Sequence, residues 1–125
     1  MKQLLENEER MIYIASPYSH PDRSVMELRY RYVMNYVDYL LKKGEFAYSP
    51  IVYGHEIAKY HSLPTDANFW KNWDEAMMRR CDVLHFYLLD GWKESNGMMM
   101  ELNYAEENGM PIVYVEPSKT GGFDV

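Results

Sequence analysis

An α/β domain built on a parallel sheet is what this sequence predicts, and three observations predict it. Short apolar runs alternate with longer stretches of helical periodicity from about residue 11 to residue 115, the order that makes strand–helix–strand units. The run from Val83 to Leu89 is apolar nearly throughout, which suits a central parallel strand covered on both faces. The length of 125 residues gives room for one hydrophobic core and not for two. Right-handed crossovers would then wrap four or five strands with helices on both sides.

Met11 to Ala15 is a short, partly β-branched run that stops at Ser16-Pro17, as a buried first strand entering a loop should. From about Ser24 to Lys43 two adjacent stripes, Met26, Tyr30, Val33, Val37, Leu40 and Leu28, Tyr32, Tyr36, Tyr39, repeat at helical spacing, and Gly44 ends that helix. Phe46 to Ser49 reads as a second strand closed by Pro50. Ile51 to Tyr60 is a short helix, and His61-Ser62-Leu63-Pro64 breaks it before another from about Thr65 or Asp66 to Arg80. Val83 to Leu89 follows as the third strand. A helix around Glu101 is capped by Gly109, and Pro111 to Val115 is the last strand. Residues 1–10 thus read as an N-terminal extension, 11–116 as the domain, and 117–125 as a flexible tail.

The net charge is -6, so there is no basic footprint for polymeric nucleic acid, though a small anion in a local pocket stays open. The single cysteine, Cys81, excludes an intramolecular disulfide framework, and no cysteine and histidine spacing matches a structural zinc site. No run of about 20 apolar residues exists, and the acidic start Met1-Lys2-Gln3-Leu4-Leu5-Glu6-Asn7-Glu8-Glu9-Arg10 is not signal-like. A cytoplasmic protein without a membrane partner is expected. The 12 tyrosines suggest amphipathic surfaces around a pocket or a subunit interface.

In parallel sheets, ligands bind at the carboxyl ends of the strands, near the switch in strand order. Those ends gather Tyr13-Ile14-Ala15-Ser16-Pro17-Tyr18, Ser49-Pro50, Asp90-Gly91-Trp92 and the turn leading to Glu101. Glu101 lies three residues after Met98 and four before Ala105, on or beside their apolar face and away from Glu106, Glu107 and Asn108. A carboxylate there costs several kcal/mol or shifts its pKa, so it needs a partner or a task. The ordinary reading is a pairing with Arg or Lys. Taken alone, Asp74, after Trp70 and Trp73, reads as an exposed acid in a mixed-charge helix, and Tyr13 as a core tyrosine. Ser95 and Asn96 are good N-caps, and a helix N-terminus also binds phosphate. Gly97 is too isolated to make a phosphate loop, and no Walker or dinucleotide motif is present. His20, His55, His61 and His85 lack metal-ligand spacing, His85 reads as a core histidine, and Cys81 as a buried thiol. Met98-Met99-Met100 is packing or the lining of a base-sized pocket.

Tyr13-Ile14-Ala15-Ser16-Pro17, Asp74, Cys81-Asp82 before an apolar strand, and Ser95-x-Gly97-x-x-x-Glu101-Leu102-x-Tyr104-Ala105 together resemble the nucleoside 2-deoxyribosyltransferase superfamily over residues 11 to 115. The resemblance is closest to its small phage- and bacterium-encoded branch. It implies a flavodoxin-like three-layer sandwich and cleavage or transfer at the N-glycosidic bond of a nucleoside or nucleotide. It implies Glu101 as the nucleophile, Asp74 as the proton donor near the base, and Tyr13 as the group positioning the nucleophile. Transferases of free nucleosides tend to carry aspartate where this chain has Ser95, while the family's nucleotide hydrolases resemble it in having serine. A serine at a helix N-terminus accepts a 5′-phosphate that aspartate would repel.

The expectation is therefore an N-glycosidase of nucleoside 5′-monophosphates, with water as acceptor or with transferase activity, a covalent glycosyl–glutamate intermediate, and no metal or other cofactor. Ala15, Ser16, Pro17, Asp90, Trp92, Ser95, Asn96 and Gly97 are the expected substrate-binding residues. Pro17-Tyr18-Ser19 departs from the family's phosphate loop, for which His20 and Arg23 would compensate. The rival is a nucleotide-sensing module of the same fold without turnover. A flavodoxin-like electron carrier is disfavoured because no flavin-phosphate loop is evident. A homodimer or larger homo-oligomer is expected from the aromatic first helix.

Overall fold

The computed structural model describes residues 9–117, so most of the expected N-terminal extension and the tail beyond Pro117 lie outside the described residues. Along the chain come β1 (Met11–Ala15), α1 (Arg23–Lys42), β2 (Phe46–Tyr48), α2 (Pro50–His61), α3 (Ala67–Met78) and β3 (Val83–Tyr87). A single 3-10 turn (Trp92–Glu94), α4 (Asn96–Glu107) and β4 (Ile112–Val115) complete it. All strand pairs are parallel, in the order β2-β1-β3-β4. This is a flavodoxin-like three-layer fold with a four-stranded sheet.

That order makes β1 and β3 the switch point, because the chain steps from β1 outward to β2 and then returns across β1 to β3. Crossovers of one hand must then leave α1 and α4 on opposite faces. The side chains of β1 record it. Ile12 and Ile14 join Val33, Tyr36 and Leu40 of α1 in one core cluster, whereas Tyr13 and Ala15 join Met78 of α3 and Met98 and Ala105 of α4 in the other. Burying a side chain such as Ile14 contributes about 1.5–3 kcal/mol. At the amino ends, Asp82 ties β3 to β1. Its amide donates to the Met11 carbonyl and its carboxylate accepts from the Met11 amide, both at 2.8 Å.

Three expected boundaries move, each for a local reason. Ser49 is not strand but the N-cap of α2, its Oγ accepting from the Val52 amide at 3.1 Å, and Pro50 opens the helix instead of merely closing the strand. β3 ends at Tyr87 because the Leu89 amide turns back to the Tyr87 carbonyl at 2.9 Å. Leu89 is apolar because it is buried in that turn. Pro111, with no amide to donate, precedes β4. Gly109 takes φ +67 after α4, and Met110 N–H reaches the Ala105 carbonyl at 2.9 Å, a Schellman closure that a side chain would strain. Among the described residues no helix is long and apolar enough to cross a membrane.

Candidate functional site

A cleft of about 560 Å³ opens at the carboxyl ends of β1, β2 and β3, a size suited to a small organic ligand. Three of the four helices, α2, α3 and α4, line it. Ile51, Gly54, His55 and Ala58 come from α2, Ala67, Trp70 and Asp74 from α3, and Gly97, Met100 and Glu101 from α4, all at spacings of three, four or seven residues. Ser16 and Tyr18 enter from the loop after β1.

Glu101 is only 8% exposed, and its partner is Tyr13, whose hydroxyl donates to Oε2 at 2.6 Å. The Arg or Lys pairing expected on ordinary grounds does not form among the described residues. Tyr13 is both readings at once, a fully buried core tyrosine and the hydrogen-bond donor to this acid. Burial drives the Glu101 carboxyl well above the usual range and the nearby Asp74 charge adds to this, while the Tyr13 hydrogen bond opposes it. Asp74 is not the exposed acid of a mixed-charge helix. It is partly buried, its Oδ1 is shut from water without a hydrogen-bond partner, and burial, then the Glu75 charge, pushes it up to about 7.

Ser16 Oγ is likewise buried and unpaired. Two orphaned polar atoms in one cleft mark places where a bound group would complete the hydrogen bonding. Ser95 caps α4, its Oγ accepting from the Met98 amide at 3.2 Å, which leaves its own proton to donate into the cleft it lines. Asn96, Gly97, Met99 and Met100 line it too, while Met98 packs in the core.

Four of the expected binding residues do not line the cleft. Ala15 and Pro17 are buried beneath it. Asp90 is exposed in the turn after β3, and Trp92 packs edge-on against Phe86 with ring centroids 5.8 Å apart. His20 and Arg23, expected to compensate for the altered loop, do not line the cleft, and His20 Nδ1 accepts from the Asp22 amide at 3.0 Å. Cys81 is a half-buried thiol pushed up to about 11 by burial, then by Asp82, the opposite of an activated nucleophile. His85 pairs with the Tyr36 hydroxyl at 2.7 Å.

Sequence reasoning put Tyr18 at the strand ends without a role, weighed His55 only as a metal ligand and Trp70 only as a neighbour of Asp74, and the cleft brings the three together. Their signal was the stripe Ile51, Gly54, His55, Ala58 on a helix that starts at a strand's carboxyl end. The cleft also shows a charge pattern that no local motif displays. Asp66, Asp74, Glu94 and Glu101 line it, and among the described residues no lysine or arginine does. Arg29, beside the loop after β1, donates through Nη1 to the Tyr18 and Ser19 carbonyls at 3.2 and 3.1 Å.

Residues 10–117 match the model of a family described as a domain of unknown function (DUF1937). The chain belongs to that family. No curated protein matches it. The match spans every strand and helix that shapes the cleft, so the cleft is a feature of the family's domain and not of a terminal extension.

Proposed function

We propose that the protein cleaves the N-glycosidic bond of a nucleoside or nucleoside 5′-monophosphate, with the sugar passing through a covalent ester on Glu101. The observation that carries this reading is a buried carboxyl held by the Tyr13 hydroxyl and set with a second, protonatable carboxyl, Asp74, in the wall of one ligand-sized cleft. A retaining displacement at an anomeric carbon needs that pair, one acid ionised as nucleophile and one protonated as donor. With Oε2 occupied by Tyr13, Glu101 offers Oε1 to C1′. The C1′–N bond breaks as the ester forms, and the base leaves with the bonding electrons and the Asp74 proton. Water then attacks C1′, expels Glu101 as carboxylate and returns a proton to Asp74. Asp74, pushed up to about 7, can give its proton near neutral pH, and the Tyr13 hydrogen bond favours ionised Glu101 against the burial that raises it.

The phosphate divides two forms of this reading. Ser95 at the N-terminus of α4 favours a monophosphate. Four lining carboxyls, with no lysine or arginine lining the cleft among the described residues, favour the uncharged nucleoside, because a phosphate would meet like charge there. Incubation with a panel of nucleosides and their 5′-monophosphates, followed by chromatography for free base, tests both. Release of base supports the reaction, and the ratio of the two substrate classes decides the phosphate. Binding without release would favour the sensing module. Glu101→Gln keeps the shape and the Tyr13 contact but not the nucleophile, and should lose turnover by about a thousandfold or more while melting as a folded protein.

A further inference from the structure

A second wall of the cleft is wired with equal care and has no part in the bond-breaking steps. His55 of α2 is buried. Its Nδ1 lies 2.6 Å from the Tyr18 hydroxyl, its Nε2 lies 2.5 Å from Oε2 of Glu27 on α1, and the Tyr30 ring stacks on it at 4.0 Å. Tyr18 and His55 line the cleft, and Glu27 stands behind them.

The hydrogen-bond directions follow from the end of the chain. Burial works to raise the Glu27 carboxyl, but the His55 hydrogen bond and the charges of His55 and Lys59 prevail and hold it below the usual range. An ionised carboxylate only accepts, so a proton sits on Nε2 of His55, and where the ring is neutral that is its only proton. Nδ1 is then bare and only accepts, so Tyr18 must spend its proton on it. The Tyr18 oxygen is left with lone pairs, and no proton, for a ligand.

The Trp70 indole lines the same cleft as Tyr18 and His55 and packs against α2. Gly54 precedes His55, and a Cβ on it would stand 3.4 Å from Cη2 of Trp70. The indole is fixed by its own Nε1, which donates to the Pro64 carbonyl at 2.9 Å. Ile51, Met99 and Met100 also line the cleft. A fixed indole face next to a polar edge suits a planar heteroaromatic ring with a donor on its rim, and base–aromatic stacking contributes about 1–3 kcal/mol.

We propose that this wall is the base subsite and that Tyr18, held by His55 and Glu27, selects bases carrying an exocyclic amino group over those carrying a carbonyl at the same position. The inference rests on the nucleoside reading above and adds a selectivity to it. A carbonyl there would set lone pair against lone pair, whereas an amino group donates to Tyr18.

The test uses matched pairs, 2′-deoxyadenosine with 2′-deoxyinosine and 2′-deoxycytidine with 2′-deoxyuridine, with their ribose counterparts and monophosphates. Wild type should prefer the amino member by about tenfold or more in kcat/KM. Tyr18→Phe should erase the preference by raising KM for the amino member while kcat and the carbonyl member change little. Glu27→Gln should narrow the preference, because its amide donates to Nε2, moves the ring proton to Nδ1 and turns the Tyr18 proton toward the ligand. A Tyr18→Phe protein that keeps the wild-type preference, or that loses both members alike, overturns the proposal. Calorimetric binding of the same compounds separates the two claims. Amino-selective binding without base release leaves the subsite standing and removes the reaction, and base release indifferent to Tyr18 does the reverse. Absence of binding and release removes both.

Discussion

Tyr13 and Asp74 bias the protonation of Glu101 in opposite directions. The Tyr13 hydroxyl donates to the carboxylate and favours its ionised form, while the Asp74 charge disfavours it. Tyr13→Phe removes the one side-chain hydrogen bond that Glu101 makes among the described residues, so the acid limb of the pH–rate profile should move to higher pH. Turnover near pH 6 should fall about tenfold and recover in part as pH rises. A uniform loss at every pH would assign Tyr13 to packing alone. Asp74 makes a second prediction through stability. Its folded pKa is about 7 against an ordinary 3.8, so the folded state binds the extra proton between those values and loses stability as pH rises through them. The contribution is intact below the unfolded value and gone above the folded one. Asparagine does not ionise, so Asp74→Asn should match wild type in melting near pH 4 and exceed it increasingly toward pH 8, by up to a few kcal/mol. It should do so while slowing turnover, as expected where function holds a residue in an unfavourable state. Melting curves across pH check the first part, and an advantage that does not grow with pH would contradict it.

At the scale of elements, the loop after β1 is held by a contact that only glycine permits. Gly91 takes φ +94, and a Cβ there would fall 2.3 Å from Nη2 of Arg29, the guanidinium whose Nη1 holds the Tyr18 and Ser19 carbonyls. Gly91→Ala should therefore strain the turn by about 1–3 kcal/mol, lower Tm by roughly 5 °C or more, and raise KM as the loop carrying Tyr18 shifts. Wild-type melting and KM in this variant would show that Arg29 moves aside freely. The same loop shows how far the sequence could be read. Periodicity placed each strand and helix, because burial on one face repeats at two or 3.6 residues regardless of what fills the cleft. It also set Glu101 on a buried face. It misplaced Ser49, where strand and cap read alike, and Leu89, where burial in a turn mimics a strand. Trp92 and Asp90 follow β3 as a binding loop would, yet the 3-10 turn carries Trp92 onto Phe86. The Glu27–His55–Tyr18 chain joins residues 28 and 37 positions apart, a relation that no local spacing encodes.

For the whole molecule, the aromatic surface lies elsewhere than the sequence suggested. The tyrosines of α1 turn inward, Tyr36 stacking on Tyr87 at 4.5 Å and Tyr32 and Tyr39 packing on the same core cluster. Among the helices the exposed aromatics belong to α2 and α3, with Tyr53 46%, Tyr60 72%, Phe69 49% and Trp73 40% exposed, while Phe46 and Tyr114 are exposed on the edge strands β2 and β4. Tyr53 and Trp73 stack on each other at 5.3 Å, so part of this face is already ordered before any partner arrives. Apolar patches of this kind mark interfaces, and we propose that it joins two copies of the chain. Each copy carries a net charge of -6, so association must overcome like-charge repulsion through apolar contact. Screening removes the repulsion and leaves the contact. Sedimentation at micromolar concentration should therefore show a dimer whose share grows as salt is raised from about 0.05 to 0.5 M. Phe69→Glu, which places a charge on the exposed face and alters no residue lining the cleft, should shift the protein to monomer at every salt concentration. A wild-type monomer under these conditions would contradict the dimer. A dimer that weakens with salt would place the contact on ion pairs instead of on this aromatic face.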